Sequence, residues 1–227
     1  MLVSRGPAGA GDALWDGVCA VVPAGGAGRR LGGADKPAVL VGGRSLLAHV
    51  LGRLPAGVPV AVVGPERHGP ADAADAGGGA RVVLTCREDP PGGGPAAAVA
   101  AGLAALEGAG LLGRVVVVVP ADAPRAPEAL PGLLDALRRG APEVTTAVAL
   151  DGGGHRQVLV AAHDAVALRE RVAALGDPAG VAASRLLPRG PALAEVPAPA
   201  ELLADVDTPA DLDAARAAHR AQGDRPA

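Results

Sequence analysis

Short apolar runs alternate along this chain with stretches whose apolar residues recur at helical spacing. Residues 18–22, 58–63, 81–85 and 114–119 are runs with little polar relief, the pattern of strands buried on both faces. Residues 45–54 carry apolar side chains at helical spacing, with Ser45 placed as a cap and Pro55 and Gly57 as a stop. Residues 96–106 predict a helix of small residues suited to close packing on a sheet, and 127–139 predict another, ended by Gly140. Residues 143–150 and 157–161 read as strands joined by the turn Asp151-Gly152-Gly153-Gly154. Helices are expected over 163–175, 179–187 and 210–221, and a short strand over 192–196; Thr208 caps the last helix, with Pro209 in its first turn. Residues 64–79 read as a loop with one short helix.

This alternation predicts an α/β domain of three layers, Rossmann-like, with a mixed but mostly parallel sheet. The valine run at 115–119 belongs at its centre, and the 143–161 hairpin supplies the antiparallel part. In such sheets ligands gather outside the carboxyl ends of the strands. Residues 1–16, rich in Gly and Ala without a clear period, are expected to be a disordered tail, 17–221 the domain, and 222–227 a frayed end.

Composition narrows the function. A chain of 227 residues suits one domain with a real core, built from Val, Leu and Ala because Trp15 is the only aromatic residue. A net charge of -3, and the lack of an aromatic and basic platform, speak against nucleic acid or a membrane surface as partner. The N-terminus lacks the apolar core of a signal peptide, so a soluble cytoplasmic protein is expected. Cys19 and Cys86 form no CxxC pattern and read as reduced core thiols. His49, inside its helix, reads as a packed or surface residue.

The first strand runs into a loop holding Gly25, Gly26, Gly28, Gly32 and Gly33, with Arg29, Arg30 and Lys36 adding positive charge. Successive backbone N–H groups in such a loop converge on oxyanions, and glycine lets a ligand lie against bare backbone. Lys36 is the only lysine among 21 basic residues, in a chain with no Asn, Ile, Phe or Tyr, a composition typical of a G+C-rich genome. Its survival reads either as chance or as the need for a compact ammonium at a phosphate, which arginine's wide planar fork does not supply. The loop is neither a Walker A motif nor a GxGxxG fingerprint.

Asp122 follows the valine run directly, between prolines. A carboxylate there grips a divalent metal or starts a helix as a turn or cap residue; beside a basic glycine loop the metal reading is favoured. Asp89, ahead of a second glycine-rich loop ending in Gly94-Pro95, touches a nucleotide or only opens a turn. Asp205 and Asp207 precede the last helix, where one is a candidate second metal ligand and Asp207 equally a helix cap.

Pro23-Ala-Gly-Gly-Ala-Gly-Arg-Arg-Leu-Gly-Gly-Ala-Asp-Lys36-Pro resembles the signature loop of nucleotidyltransferases, most closely that of the molybdenum cofactor guanylyltransferases. The second glycine loop, Pro120-Ala-Asp122-Ala-Pro124, and Asp205-Val-Asp207-Thr-Pro-Ala-Asp211-Leu are similar to that family's later motifs, so the likeness spans about residues 18 to 220. The resemblance implies a fold of the nucleotide-diphospho-sugar transferase type. It also implies a reaction in which a phosphate oxygen of molybdopterin-bound molybdenum attacks the α-phosphate of GTP and pyrophosphate leaves. Lys36, Asp122 and Arg30 would be catalytic. Pro23, Ala24, Gly25, Gly26, Gly28, Arg29, Lys36, Asp89, Gly94 and Asp122 would bind the nucleotide, and Asp122 with Asp207 would hold Mg2+. Partners would be a nucleoside triphosphate and a small phosphorylated acceptor, the protein a monomer or weak homo-oligomer.

The chain departs from the family pattern in three places. No asparagine follows the second strand, Val158 stands where a proline is usual, and the C-terminal asparagines are aspartates. Pro23 is reminiscent of the methylerythritol-phosphate cytidylyltransferases. A cytidylyl- or uridylyltransferase for another phosphorylated acceptor, and a non-catalytic nucleotide-binding paralogue, are the competing readings.

Overall fold

The structure, a computed structural model, describes residues 13–25, 35–65 and 81–223, with side chains to residue 221. Strand β1 (Val18–Pro23) is followed by a 3-10 turn (Lys36–Ala38) and a small hairpin, β2 (Leu40–Val41) and β3 (Arg44–Ser45). Helix α1 (Leu46–Arg53) leads to β4 (Val60–Val63), β5 (Val83–Cys86), helix α2 (Pro95–Gly108) and β6 (Val115–Val118). Helix α3 (Leu130–Arg139), the pair β7 (Thr146–Leu150) and β8 (Arg156–Asp164), helix α4 (Ala165–Leu175) and β9 (Leu193–Pro197) come next. A single turn of helix, α5 (Ala200–Leu203), precedes the C-terminal helix α6 (Pro209–Gly223).

Among the described residues the main sheet has seven strands in the order β5-β4-β1-β6-β8-β7-β9. The valine strand β6 is its middle strand, as the sequence predicts. β1 pairs in parallel with β4 and β6, and β4 with β5. β8 is antiparallel to both β6 and β7, while β9 returns parallel to β7, so β8 is the reversed strand of a mixed sheet.

The three layers follow from strand alternation. Val18, Ala20 and Val22 of β1 and Val117 of β6 turn to one face, where they meet Leu47, Val50 and Leu51 of α1 and Leu130, Leu133 and Leu134 of α3. Cys19, Val21, Val116 and Val118 turn to the other face, against Val99, Leu103 and Leu106 of α2 and Leu168 of α4. Each such leucine or valine, fully buried, stabilises the fold by roughly 1.5–3 kcal/mol. Gly102 lets α2 lie close to the sheet: a Cβ there would stand 2.5 Å from a methyl of Val21 and 3.1 Å from one of Val63.

Several boundaries differ from the sequence reading for local reasons. The second strand begins at Val60 because Pro59 has no N–H for the ladder, although its carbonyl still accepts from Ala20 at 2.8 Å. The third begins at Val83, and the Arg81 side chain ahead of it donates to the carbonyls of Leu51 and of the α1 C-cap Leu54. The expected helix over 179–187 is reduced to a 3-10 turn, Ala183–Leu186. Residues 13–16, assigned to the tail, belong to the fold: Leu14 and Trp15 pack on the core, and Arg138 donates to the Ala13 and Asp16 carbonyls. Of the loop expected over 64–79, residues 66–79 lie outside the described residues. Both cysteines are free thiols, Cys19 buried and Cys86 half-buried.

His163 was expected at the head of a helix and lies instead in β8, with Asp164 capping α4 by accepting from Ala167 at 2.9 Å. The Thr146 hydroxyl takes a hydrogen bond from Arg171 at 2.9 Å and lies 3.0 Å from His163 Nδ1. Arginine has no acceptor, so the hydroxyl proton is free to point to Nδ1, leaving a neutral imidazole protonated at Nε2. Full burial, and secondarily the Arg171 charge, push the His163 pKa down to about 3. A histidine depressed in the folded state is protonated first in the unfolded chain, so stability is lost as pH falls below about 6.5. Between pH 6.5 and 5 this single group costs about 2 kcal/mol. Urea unfolding at pH 7 and pH 5 is expected to show a drop in the wild type that His163→Gln reduces by that amount. An equal drop in the variant would refute the assignment.

Candidate active site

The site assembles at the carboxyl ends of four parallel strands, β5, β4, β1 and β6. Backbone hydrogen bonds lock these ends together: Ala24 donates to Val63 at 2.7 Å, Gly64 to Cys86 at 2.9 Å, and Ala121 to Pro23 at 3.0 Å. The result is a cleft of about 190 Å³, whose lining includes Ala24, Gly25, Lys36, Glu88, Gly94 and Asp122.

Lys36 reaches the cleft from the 3-10 turn after the first loop, with Pro37 fixing the turn and both residues buried. Its ammonium lies 2.5 Å from Asp122 Oδ2 and also contacts Asp207 Oδ1. Asp122 stands just beyond β6. Asp207 comes from the other end of the chain, drawn in by a hydrogen bond from Val206 N to the Asp122 carbonyl at 3.0 Å. Val206 is buried with Val41 and Leu46, so the same small apolar cluster seats the hairpin and the C-terminal segment before α6.

Asp207 is not the helix cap that the sequence also allowed. Thr208 caps α6: its hydroxyl accepts from Asp211 N at 3.2 Å, and Asp211 accepts from Thr208 N at 2.7 Å. This reciprocal capping box also holds Asp207 N, at 3.1 Å from the Asp211 carboxylate, and leaves the Asp207 side chain for the cleft.

The electrostatics follow. Burial works to lower the Lys36 pKa, but hydrogen bonds and charge from Asp122 and Asp207 outweigh it and hold the ammonium above its ordinary value. Asp205, beside the pair, is held above the ordinary carboxylate range by partial burial, then by the negative charges of Asp207 and Asp122. Such crowding of carboxylates is a place for a cation. Among the described residues no three His, Cys, Asp or Glu side chains are grouped to hold a metal by themselves. Asp122 and Asp207 meeting at one point do fit the usual manner of binding Mg2+, by one or two carboxylates plus substrate phosphates.

Of the residues singled out in the sequence, Pro23, Ala24, Gly25, Lys36, Gly94 and Asp122 line this one cleft, and Asp207 joins them through Lys36. Gly26, Gly28, Arg29 and Arg30 lie outside the described residues. Asp89 is exposed, precedes a cis bond to Pro90, and is not part of the lining. Its neighbour Glu88, which the sequence reading passed over, is buried and is part of it. The signal for Glu88 was its place at the end of an apolar strand; the Asp89-Pro90 turn signal masked it. His49 is a packed residue, its Nε2 2.7 Å from the Val41 carbonyl.

No curated protein sequence matches the chain. Among solved structures it is similar to a CMP:2-keto-3-deoxy-manno-octonic acid synthetase complexed with CTP, at 18% identity and a TM-score of 0.64, covering 90% of this chain and 99% of that one. It is similar to the 2-C-methyl-D-erythritol 4-phosphate cytidylyltransferase of Thermus thermophilus, at 24% identity and TM-score 0.58, over 89% and 98% of the chains. It is also similar to the molybdopterin-guanine dinucleotide biosynthesis protein A of Archaeoglobus fulgidus, at 21% identity and TM-score 0.56, over 89% and 98%. These likenesses establish the fold, that of the nucleotide-diphospho-sugar transferases. Among the described residues no helix is long and apolar enough to cross a membrane. The sequence from residue 20 to 194 matches the MobA-like NTP transferase domain, and the chain is thereby a nucleotidyltransferase belonging to that family.

Proposed function

We propose that the protein transfers GMP from GTP to the phosphate of molybdopterin-bound molybdenum, releasing pyrophosphate. The observation that carries this reading is the convergence of Asp122 and Asp207 on Lys36, in a cleft that Lys36 and Asp122 share with Ala24 and Gly25. The guanylyl choice is supported by the family match and by the motif order along the chain. The Archaeoglobus protein, whose name specifies molybdopterin-guanine dinucleotide, adds to that support.

Nucleotidyl transfer needs alignment and charge neutralisation more than a protein nucleophile. Lys36, with exposed backbone at Gly25, would hold the triphosphate and stabilise the departing pyrophosphate. Asp122 and Asp207 would hold Mg2+, which when bound acts as Lewis acid and template at the phosphates. Lys36 in this arrangement has two roles: it neutralises the carboxylate pair, and it turns to the triphosphate when one enters. Buried at 6% exposure, it does so with little competition from water.

The test is pyrophosphate release by the full chain with Mg2+, molybdopterin-bound molybdenum and each of the four nucleoside triphosphates. GTP alone is expected to support release and to protect the protein from heat. Release with CTP or UTP and a different phosphorylated acceptor would replace the guanylyl reading by the cytidylyl or uridylyl one. Nucleotide protection without release for any acceptor would identify a non-catalytic paralogue.

A further inference from the structure

The turn that carries Lys36 runs straight into the β2–β3 hairpin, and helix α6, which follows Asp207, docks on that same hairpin. Val39 N donates to the Lys36 carbonyl at 3.1 Å, and Leu46 N, beyond β3, closes on the Val39 carbonyl at 3.0 Å. Val41 and Leu46 bury against Val206, with Leu212 and Ala215 of α6 packed beside them. One small hairpin thus seats both the ammonium and the Asp207 carboxylate that meets it.

The tip of the hairpin makes the closest approach. Gly42 has φ +58°, and a Cβ there would collide with Nε2 and Cδ2 of His219 and stand 2.8 Å from Cε1. The His219 ring therefore rests on bare backbone, and glycine is required twice, by the turn and by the ring. The same ring meets the buried His49 in a T-shaped contact, centroids 5.4 Å apart and planes at 70°. Arg216 reaches the Leu40 carbonyl at 3.5 Å. Between this contact and Leu212, Ala214 and Ala218 line a cavity of about 220 Å³, together with Arg53, Pro124 and Arg125. Methyl groups that face open space bury little apolar area, so α6 is held at its two ends rather than along its length.

The N-terminal end of α6 carries Asp207. Asp211 accepts from Asp207 N at 3.1 Å and from Thr208 N at 2.7 Å, and Leu212 N donates to the Thr208 carbonyl at 3.1 Å. Asp207 is thereby tied to the first turn of the helix, whereas Asp122 belongs to the end of β6. His219 stands ten residues along the helix from Pro209, about 15 Å at the usual rise, so a latch there controls the tilt at the other end. Resting on the nucleotidyl-transfer reading above, we infer that His219, seated over Gly42, is a positioning residue: it fixes α6 on the hairpin and so holds the Asp207 carboxylate at Lys36, where the proposed function places Mg2+.

GTP affinity of the full chain, measured by calorimetry in EDTA and in Mg2+, tests this without turnover. The ratio of the two affinities is the Mg2+ enhancement. His219→Ala should stay folded, because alanine suits a half-exposed helix position, and a melting curve checks it. The variant is expected to keep its GTP affinity in EDTA within about twofold and to lose about tenfold of the Mg2+ enhancement, the low end for residues that orient a metal ligand. Gly42→Ala is expected to do the same. Gly43→Ala is the control: its φ is +80°, so it strains the same turn, but nothing lies within 4 Å of its added Cβ. It is expected to leave the enhancement at the wild-type value. Because His219 acts through Asp207, adding His219→Ala to Asp207→Asn should cost nothing further.

An unchanged Mg2+ enhancement in folded His219→Ala would overturn the inference. So would equal losses in Gly42→Ala and Gly43→Ala, which would trace the effect to strain in the hairpin. A loss in EDTA as large as the loss in Mg2+, or additive losses in the double variant, would make His219 a general support of the cleft and overturn its action through Asp207. These results leave nucleotidyl transfer standing; failure of the wild type to bind any nucleoside triphosphate with Mg2+ would overturn both.

Discussion

Lys36→Ala is expected to lower kcat for GTP-dependent pyrophosphate release by about 10²–10³-fold, the usual loss when one preorganised charge is removed from a transition state. The ammonium is positioned for this by the turn that Pro37 fixes and by carboxylates on either side. Folding should survive, because the Asp122 and Asp207 side chains left behind are 27% and 41% exposed and can regain water. Lys36→Arg is the sharper comparison. A guanidinium is as positive but planar and wider, and the space between the two carboxylates is filled by a compact ammonium. It is expected to recover little of the lost rate, which would explain why lysine persists at this position alone. Full rate in Lys36→Arg would reduce Lys36 to a generic charge. The held-up pKa sets the pH range of these effects. A lysine raised in the folded state contributes its stability fully below about pH 10.4 and loses it only as pH climbs through the higher folded value. The Lys36 contribution is therefore constant across neutral pH, and the fold's acid sensitivity comes from other groups, His163 among them.

Much of the fold was legible because burial on both faces writes a simple pattern. The valine run of β6 could belong only to an interior strand, and it is the middle one. The hairpin at 146–164 was legible from its glycine turn, and the reversal of β8 follows from that turn. The hairpin β2 and β3 was not, because strands of two residues leave no period to read. It forms through tertiary contacts: Val41 and Leu46 pack with Val206, from a segment some 160 residues away. The site was legible in part for a related reason. Lys36 and Asp122 stood out by rarity and by position after a strand. Asp207 was ambiguous, since only the folded geometry shows that Thr208 and Asp211 form the cap and that the Asp207 carboxylate meets Lys36. Glu88 was hidden by Asp89, because turn residues such as Asp-Pro dominate a local reading while burial of the preceding carboxylate depends on Gly25 and Gly92.

Asp122→Asn is expected to have the largest effect of all, about 10³-fold or more on turnover, since it removes the charge that meets the Lys36 ammonium and that, in the proposed function, holds Mg2+. The amide keeps the size of the side chain, and the backbone carbonyl still accepts from Val206, so the C-terminal segment should stay docked. Charge is what changes. Asp207 alone would face Lys36, and Asp205 would lose one of the negative neighbours that raise it. With one carboxylate instead of two, Mg2+ should be needed at markedly higher concentration for half-maximal activity, and GTP binding without Mg2+ should be nearly unaffected or slightly tighter. That opposition separates a metal ligand from a structural residue, because a merely loosened cleft would weaken the nucleotide whether or not the ion is present. A Mg2+ titration of pyrophosphate release, set beside calorimetric GTP binding in EDTA, measures both halves. An unchanged Mg2+ requirement in a folded Asp122→Asn protein would remove the metal from this carboxylate and leave Asp122 as a counter-ion for Lys36.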